Sequence, residues 1–173
     1  MRLVIRWLIR RDMAEVLQVE NSCFEFPWCE DDFLGYLWQR NCIGMVVEHE
    51  NAIVGFFLYE LKVDHPIVHT IAVSPSWQGQ GVGRAIVEKL IEKISKQRRT
   101  HMKARVRETN LDAQLFLRAT GWRAVGVDRS PYDESDEDGY RFEYWLEWPK
   151  PLDDMEDKFV EDAADSAYRG NQA

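Results

Sequence analysis

The sequence predicts a mixed α/β fold, one sheet flanked by helices in the order β-α-α-β-β-β-α-β-α-β-β. Three observations predict it. The run Ile67-Val68-His69-Thr70-Ile71-Ala72-Val73 is β-branched and apolar on both faces, the pattern of a buried central strand. Glycines follow at Gly79, Gly81 and Gly83, and then Val82, Ile86, Val87, Leu90, Ile91 and Ile94 form one apolar helical stripe. On either side, shorter apolar segments bounded by turn residues supply the remaining strands and helices.

The chain opens with alternation from Leu3 to Ile9, which predicts a first strand. Asp12 is placed to N-cap a helix that buries Met13, Val16, Leu17 and the aliphatic stem of Glu20 and ends near Cys23. Phe24-Glu25-Phe26-Pro27-Trp28 is a dense aromatic loop that either covers a core edge or lines a binding groove, and a short helix through Phe33, Tyr36, Leu37 and Trp38 follows. Cys42 to Glu48 and Ala52 to Leu61 predict an antiparallel hairpin turning at His49-Glu50-Asn51. Ser74-Pro75 ends the central strand, because proline cannot donate to a ladder. His101 to Arg107 is a further strand. Asn110 opens a helix carrying Leu111, Leu115, Phe116 and Ala119, with Gly121 where a left-handed C-terminal cap belongs. Trp122 to Asp128 and Tyr140 to Trp148 are the last strands, giving one domain over residues 1–148 and an acidic tail, 149–173, expected to be flexible or loosely docked.

Composition narrows the partners. At 173 residues, 45% of them hydrophobic, the chain buries its own core without staples. No apolar run approaches the ~20 residues of a membrane span, and Arg2, Arg6 and Arg10 break any signal-peptide pattern. Cys23, Cys29 and Cys42 suit neither a disulfide frame nor a zinc site, so no metal is expected and free thiols in a cytoplasmic protein are. The net charge of −8 is local: the tail carries −4 and Asp133-Glu134-Ser135-Asp136-Glu137-Asp138 carries −5. A nearly neutral body argues against nucleic acid as a direct ligand and leaves room for a cationic partner near that loop.

A strand, a glycine-rich turn and a helix N-terminus together make an anion site, because first-turn N–H groups lack intrahelical partners. The expected anion is a phosphate or pyrophosphate. A Walker loop, Gly-x-x-x-x-Gly-Lys, is absent. The glycines also lie too far past the strand for a dinucleotide fingerprint. Gln78-x-x-Gly81-x-Gly83, preceded by Ile71-Ala72-Val73 and Ser74-Pro75, resembles the acyl-CoA-binding motif of the GNAT N-acetyltransferases. The resemblance spans Leu3 to Trp148 and implies the GNAT fold, acetyl-CoA, and acetyl transfer to a primary amine. It implies that the N–H groups of Gln78, Gly79, Gln80, Gly81, Val82, Gly83 and Arg84 hold the pyrophosphate, and that the pantetheine adds along Ile71, Ala72 and Val73. An N–H near Val73 would be the oxyanion donor, and Asn110 a contact for the pantetheine or sulfur. Phe26-Pro27-Trp28, Val106-Arg107-x-x-Asn110 and Pro131-Tyr132 are similar to the ribosomal-protein-alanine N-acetyltransferases (RimI-like) within that family.

Two positions depart from those relatives. Where the resemblance places a general base, this chain has Arg105, which is always protonated. Where it places the tyrosine that protonates the thiolate, this chain has Leu117. An α-amine, with a pKa near 7.7–8.0, is partly neutral at pH 7, whereas lysine would need about 3.5 kcal/mol more. The losses therefore favour a protein N-terminal α-amine, and the expected acceptor is a protein N-terminus or a basic peptide. A small amine or polyamine, and an acyl-CoA-binding module without catalysis, are the alternatives. Glu25, Glu60, His69, Glu108 and Tyr132 are the substitute proton carriers, with Glu108 and Tyr132 ranked first because they flank the expected acceptor groove. Arg105 is free on this reading to pair with Glu60 or bind an acidic group.

Overall fold

The computed structural model describes residues 2–149. Seven strands form one sheet in the order β1-β2-β3-β4-β5-β7-β6. They are β1 (Val4–Trp7), β2 (Cys42–His49), β3 (Ala52–Leu61), β4 (Pro66–Val73), β5 (His101–Arg107), β6 (Arg123–Asp128) and β7 (Gly139–Trp145). Four α-helices flank it: α1 (Met13–Cys23), α2 (Glu30–Leu37), α3 (Val82–Ile91) and α4 (Leu111–Ala119). The element order is the one the sequence predicts. The tail expectation falls outside the described residues, apart from Pro149 itself.

Two cores sit on opposite faces. Val54, Phe57, Tyr59, Val82, Ile86, Leu90 and Met102 pack beneath α3. Val16, Val19, Phe33, Val46, Phe56, Leu58 and Ala72 pack beneath α1 and α2. β3, buried on both faces, contributes alternate residues to each.

Some local expectations change. Asp12 does not cap α1. Its carboxylate is buried, takes the Arg6 guanidinium at 2.6 Å and accepts the Ile9 N–H at 2.9 Å, tying β1 to the helix start. Val19 is buried in α1, whereas Leu17 is only partly so, because Met13, Val16, Val19 and Glu20 follow the i, i+3/i+4 spacing of the face toward the sheet. Leu111 and Leu115 of α4 are exposed, and Leu117 and Trp122 take the core positions instead. Asn110 does cap α4, its Oδ1 accepting the Ala113 N–H at 3.1 Å.

The sheet is two half-sheets joined at one short seam. β4 pairs with β5 in parallel only at Ile67↔Lys103 and Val68↔Ala104. Past that seam β4 keeps β3 on its other side through Val73↔Gly55, and β5 keeps β7 through Arg107↔Gly139. Two inner edges therefore face one another across an open wedge from His69 to Val73 on one side and Arg105 to Arg107 on the other. Unpaired strand edges offer free N–H and C=O groups to an extended ligand.

Candidate active site

Which amides face the wedge follows from one bond. The Ser74 N–H donates to Val54 O on β3, so alternation turns the amides of Val73 and Ile71 away from β3 and into the wedge. Ala72 pairs toward β3 at Phe56, and its side chain is buried. Of the three residues expected to meet the pantetheine, Ile71 and Val73 can hydrogen-bond to it and Ala72 packs the floor.

The glycine turn opens at the mouth of the wedge. Gly81 precedes α3 with φ 88°, a left-handed conformation, and a Cβ there would meet nothing within 4 Å. The turn therefore needs glycine for its backbone and leaves open space on the side where a ligand approaches. The first intrahelical bond is Ala85 N–H to Gly81 O, so the amides of Val82, Gly83 and Arg84 precede the helical ladder and remain as donors. Gly83 has a second reason to be glycine. A Cβ there would lie 2.8 Å from the Phe116 ring, so the residue admits α4 against α3 while its N–H stays outside the helical ladder. Gln78 and Gln80 brace the turn with side-chain bonds to Val73 O and Ser76 O at 3.0 and 2.8 Å. Asn110 has spent its Oδ1 on α4, and only its Nδ2 group is left for a ligand.

Arg105 does not pair with Glu60. Its Nε lies 2.9 Å and its second guanidinium nitrogen 2.7 Å from Asp128 of β6. Leu117 is buried beside Trp122. Neither position offers a titrating group.

At the end of β5, Arg107 joins two loops. Its guanidinium lies over the Phe26 ring at 4.8 Å and the Tyr132 ring at 3.9 Å, and it binds Glu137 at 2.8 Å and Glu134 at 3.1 Å. Asp138 pairs with Arg129 and accepts the Ser130 N–H. Three of the five loop acids are thus neutralised within the fold. Glu108 is exposed, and its carboxylate accepts the Asp138 N–H at 3.3 Å, anchoring the same loop. Burial pushes the Tyr132 phenol up, away from easy ionisation. Glu25 is exposed. The aromatic loop divides its labour: Trp28 stacks on Tyr36 at 4.9 Å in the core, whereas Phe26 reaches Arg107.

A second polar group lies at the seam itself. Glu60 of β3 is buried, and its Oε1 meets Lys62 Nζ at 2.5 Å and Asn41 Nδ2 at 2.7 Å. Its Oε2 lies 3.3 Å from His69 Nε2. Lys62, then Asn41 and His69, hold the Glu60 carboxyl below its ordinary range. Burial lowers the His69 pKa, with Glu60 opposing the shift, so the imidazole is neutral at pH 7. Cys42, Glu60 and His69 bring three donor atoms within 4.8 Å of one another. Lys62 already supplies a cation there, Glu60 bonds Lys62, Asn41 and His69, and burial raises the Cys42 thiol pKa. Sequence spacing accounts only for the stem of Glu20, yet its carboxyl is buried, accepts the Trp28 N–H at 2.9 Å and is pushed up to about 7 by burial.

A wedge-split α/β sheet with a glycine turn and the free first-turn amides of a helix at its mouth has the shape to admit an extended, phosphate-ended donor between two strands. The chain belongs to the acetyltransferase (GNAT) family, which residues 13–122 match, and it is an acetyl-CoA-dependent N-acetyltransferase. Among curated proteins it is similar to the [ribosomal protein bS18]-alanine N-acetyltransferase of Escherichia coli strain K12, 26% identical over 125 residues, covering 72% of this chain and 84% of that one. The Salmonella typhimurium protein of the same name is 25% identical over 121 residues, covering 70% and 81%. The fold superposes on the crystal structure of the E. coli ribosomal-protein-S18-alanine N-acetyltransferase with a TM-score of 0.74 at 22% identity, over 87% of this chain and 98% of that one. Ard1 from Thermoplasma volcanium gives 0.74 at 18% identity, over 84% and 99%. No helix among the described residues is long and apolar enough to cross a membrane.

Proposed function

We propose that this enzyme acetylates the N-terminal α-amine of a protein, with acetyl-CoA consumed as the donor in each turnover. The observation that carries the reading is the Arg107 clamp. By joining Phe26 of the α1–α2 loop to Tyr132 of the β6–β7 loop, it bridges the acceptor side of the wedge above β5. A chain cannot lie flat across a bridged wedge. It enters by an end, and an α-amine is the end that is partly neutral at pH 7 without help. The names of the curated relatives, which specify an alanine of ribosomal protein bS18, support the same acceptor class.

In this reading the amides of Gly81, Val82, Gly83 and Arg84 bind the pyrophosphate, with the Gln78–Gln80 turn framing it. The amides of Ile71 and Val73 bind the pantetheine as an added strand, and that of Ile71, the nearer to the seam, lies where an oxyanion would form. The donor supplies an activated acetyl group and a thiolate that leaves readily. Nδ2 of Asn110 is the remaining polar contact on the α4 side. Glu108 and Tyr132 shape the acceptor entrance through the loop they anchor. Asp133 and Asp136, which make no side-chain ion pair among the described residues, are the acids left to meet a basic acceptor. The free thiols Cys23, Cys29 and Cys42 support a cytoplasmic setting.

The test is CoA-thiol release with three probes. They are a peptide carrying the N-terminal residues of ribosomal protein bS18, the same peptide N-acetylated but with a free lysine, and spermidine. Turnover confined to the free N-terminus is expected. Faster turnover on lysine or spermidine sinks the reading.

A further inference from the structure

We propose that His69, held by Glu60, is the proton carrier of the reaction, standing in for the base and acid that Arg105 and Leu117 cannot supply. The proposal rests on the acetyltransferase reading above.

The position of His69 is set by the sheet. β4 and β5 part company after Val68↔Ala104, and His69 is the first β4 residue beyond the seam. It is also the extra residue of a β-bulge: Leu58 pairs with Thr70 and Tyr59 with Val68, leaving His69 without a β3 partner. Bulges re-aim side chains, and this one turns the imidazole onto the α1–α2 face, against the Tyr36 ring at 4.5 Å. A ligand strand that starts at the glycine turn and pairs with Val73 and Ile71 runs toward the seam. It must stop where the wedge closes. Val73 to His69 is four residues, a run of ~13 Å at strand rise, so the reactive tip of the ligand ends beside this imidazole.

The chemistry of the cluster fits the task. Glu60 Oε2 is 3.3 Å from Nε2, which fixes that nitrogen as the N–H and leaves Nδ1 as the base. Nδ1 takes no partner among the described residues and is not one of the buried unpaired atoms. The groups facing the ring are Glu60 of β3, Lys62 at its end, Cys42 of β2 and Tyr36 of α2. Lys103 and Arg105 on the β5 side are paired with Glu143 and Asp128. Lys62 and Asn41 already occupy Oε1, so Glu60 stays an anchored carboxylate and acts as a positioning residue.

The step balances without a further reactant. As the amine nitrogen bonds to the acetyl carbon, its proton passes to His69 Nδ1. As the carbon–sulfur bond breaks, the electron pair leaves with sulfur and the imidazolium returns the same proton to it. Amide and free thiol are the products, and one residue does the work of two.

The experiment measures kcat from pH 5 to 9.5 for wild type, His69→Gln, His69→Ala and Glu60→Gln, using the bS18 N-terminal peptide and acetyl-CoA. Acetyl-CoA-induced rise in melting temperature reports that each variant folds and binds donor. His69→Gln should lose about a hundredfold or more in kcat at pH 7 with unchanged donor KM. Its plateau should give way to a rate that climbs with pH, as hydroxide replaces the missing base. Added imidazole should restore part of the rate of His69→Ala. Glu60→Gln should move the acid limb of the profile to lower pH, because the carboxylate that raises the imidazole pKa is gone. His69→Gln with wild-type kcat and profile overturns the proposal and leaves the transferase reading intact. A wild type that binds acetyl-CoA yet acetylates no amine probe overturns both.

Discussion

The two ends of the wedge are built from different materials. On the proposed reading the donor end is backbone: the amides of Ile71, Val73 and Gly81 to Arg84. The acceptor end, on the same reading, is side chains: Glu60, His69, Arg107, Glu108 and Tyr132, brought in from β3, β4, β5, the turn after it and the β6–β7 loop, with Glu20 of α1 anchoring the aromatic loop through Trp28. Backbone donors hold a ligand equally well at any pH and are disturbed mainly by geometry. The side-chain end answers to pH and to charge. Substitutions should sort accordingly, with donor binding lost only by deforming the turn.

Gly81→Val should have the largest effect. A β-branched residue at φ 88° is strained by about 2 kcal/mol, and its side chain would fill the space the ligand enters. Acetyl-CoA affinity should fall at least a thousandfold by calorimetry, with no change in the deficit between pH 6 and 9. A pH-dependent deficit would mean that a titrating group helps hold the donor and would break the contrast.

Glu20→Gln tests the other end. The folded carboxyl, at about 7, stands above its ordinary value of 4.5. The group is protonated in both folded and unfolded states at low pH. As pH rises, the unfolded chain ionises first, so stability is lost from about 4.5 until the folded pKa is passed. The glutamine variant should match wild type near pH 4 and exceed it by about 2–3 kcal/mol at pH 8, measured by urea denaturation. Its amide oxygen can still accept the Trp28 N–H. Equal stability at pH 8 would show that Glu20 is solvated when ionised.

The same contrast explains what could be read from sequence. The strand, spacer, glycines and helix that begin at Ile67 are contiguous, so this strand-turn-helix segment was legible from local spacing, down to the glycine that the left-handed turn at Gly81 demands. Gly83 was legible as a glycine but not for its cause, because Phe116 lies on another helix. The acceptor end depends on long-range neighbours. Glu60 and His69 meet through strand register and a one-residue bulge, which no local pattern shows. Glu108 and Tyr132 were ranked by their place beside the expected groove, and their ties into the β6–β7 loop, through the Asp138 N–H and the Arg107 guanidinium, are long-range contacts that no local pattern shows. The charge run at 133–138 hid its purpose for the same reason. Its partners, Arg107 and Arg129, lie outside the run. A buried glutamate on an otherwise amphipathic helix was the available signal for Glu20, visible only as a charge among Val16, Val19 and Cys23.

Arg107→Met should act on the acceptor side alone. It removes two ion pairs and two ring contacts, of which the Tyr132 contact at 3.9 Å is the closer. Partly exposed contacts of this kind are worth about 1 kcal/mol in sum. Peptide KM should rise about tenfold, with acetyl-CoA affinity unchanged and the loop at 133–138 cut faster by thermolysin. A loss of acetyl-CoA affinity would show that the clamp also sets the wedge.

The smallest effect is expected at Arg105 and Leu117, the positions where the sequence resemblance implies a base and an acid. Restoring them as Arg105→Glu with Leu117→Tyr would be the natural way to rescue catalysis in a chain that had lost it. In this fold the two substitutions meet different surroundings. Glutamate at 105 would face Asp128, replacing an ion pair by a repulsion, at a cost of about 1 kcal/mol at a half-exposed site. Tyrosine at 117 would carry its hydroxyl into a site that now seats a buried leucine beside Trp122. If His69 already moves the proton, the double variant gains no rate at pH 7 and melts a few degrees lower. A tenfold or greater gain in kcat would instead mean that position 105 still faces the reacting amine, and the two ends of the wedge would no longer divide as backbone and His69 dictate.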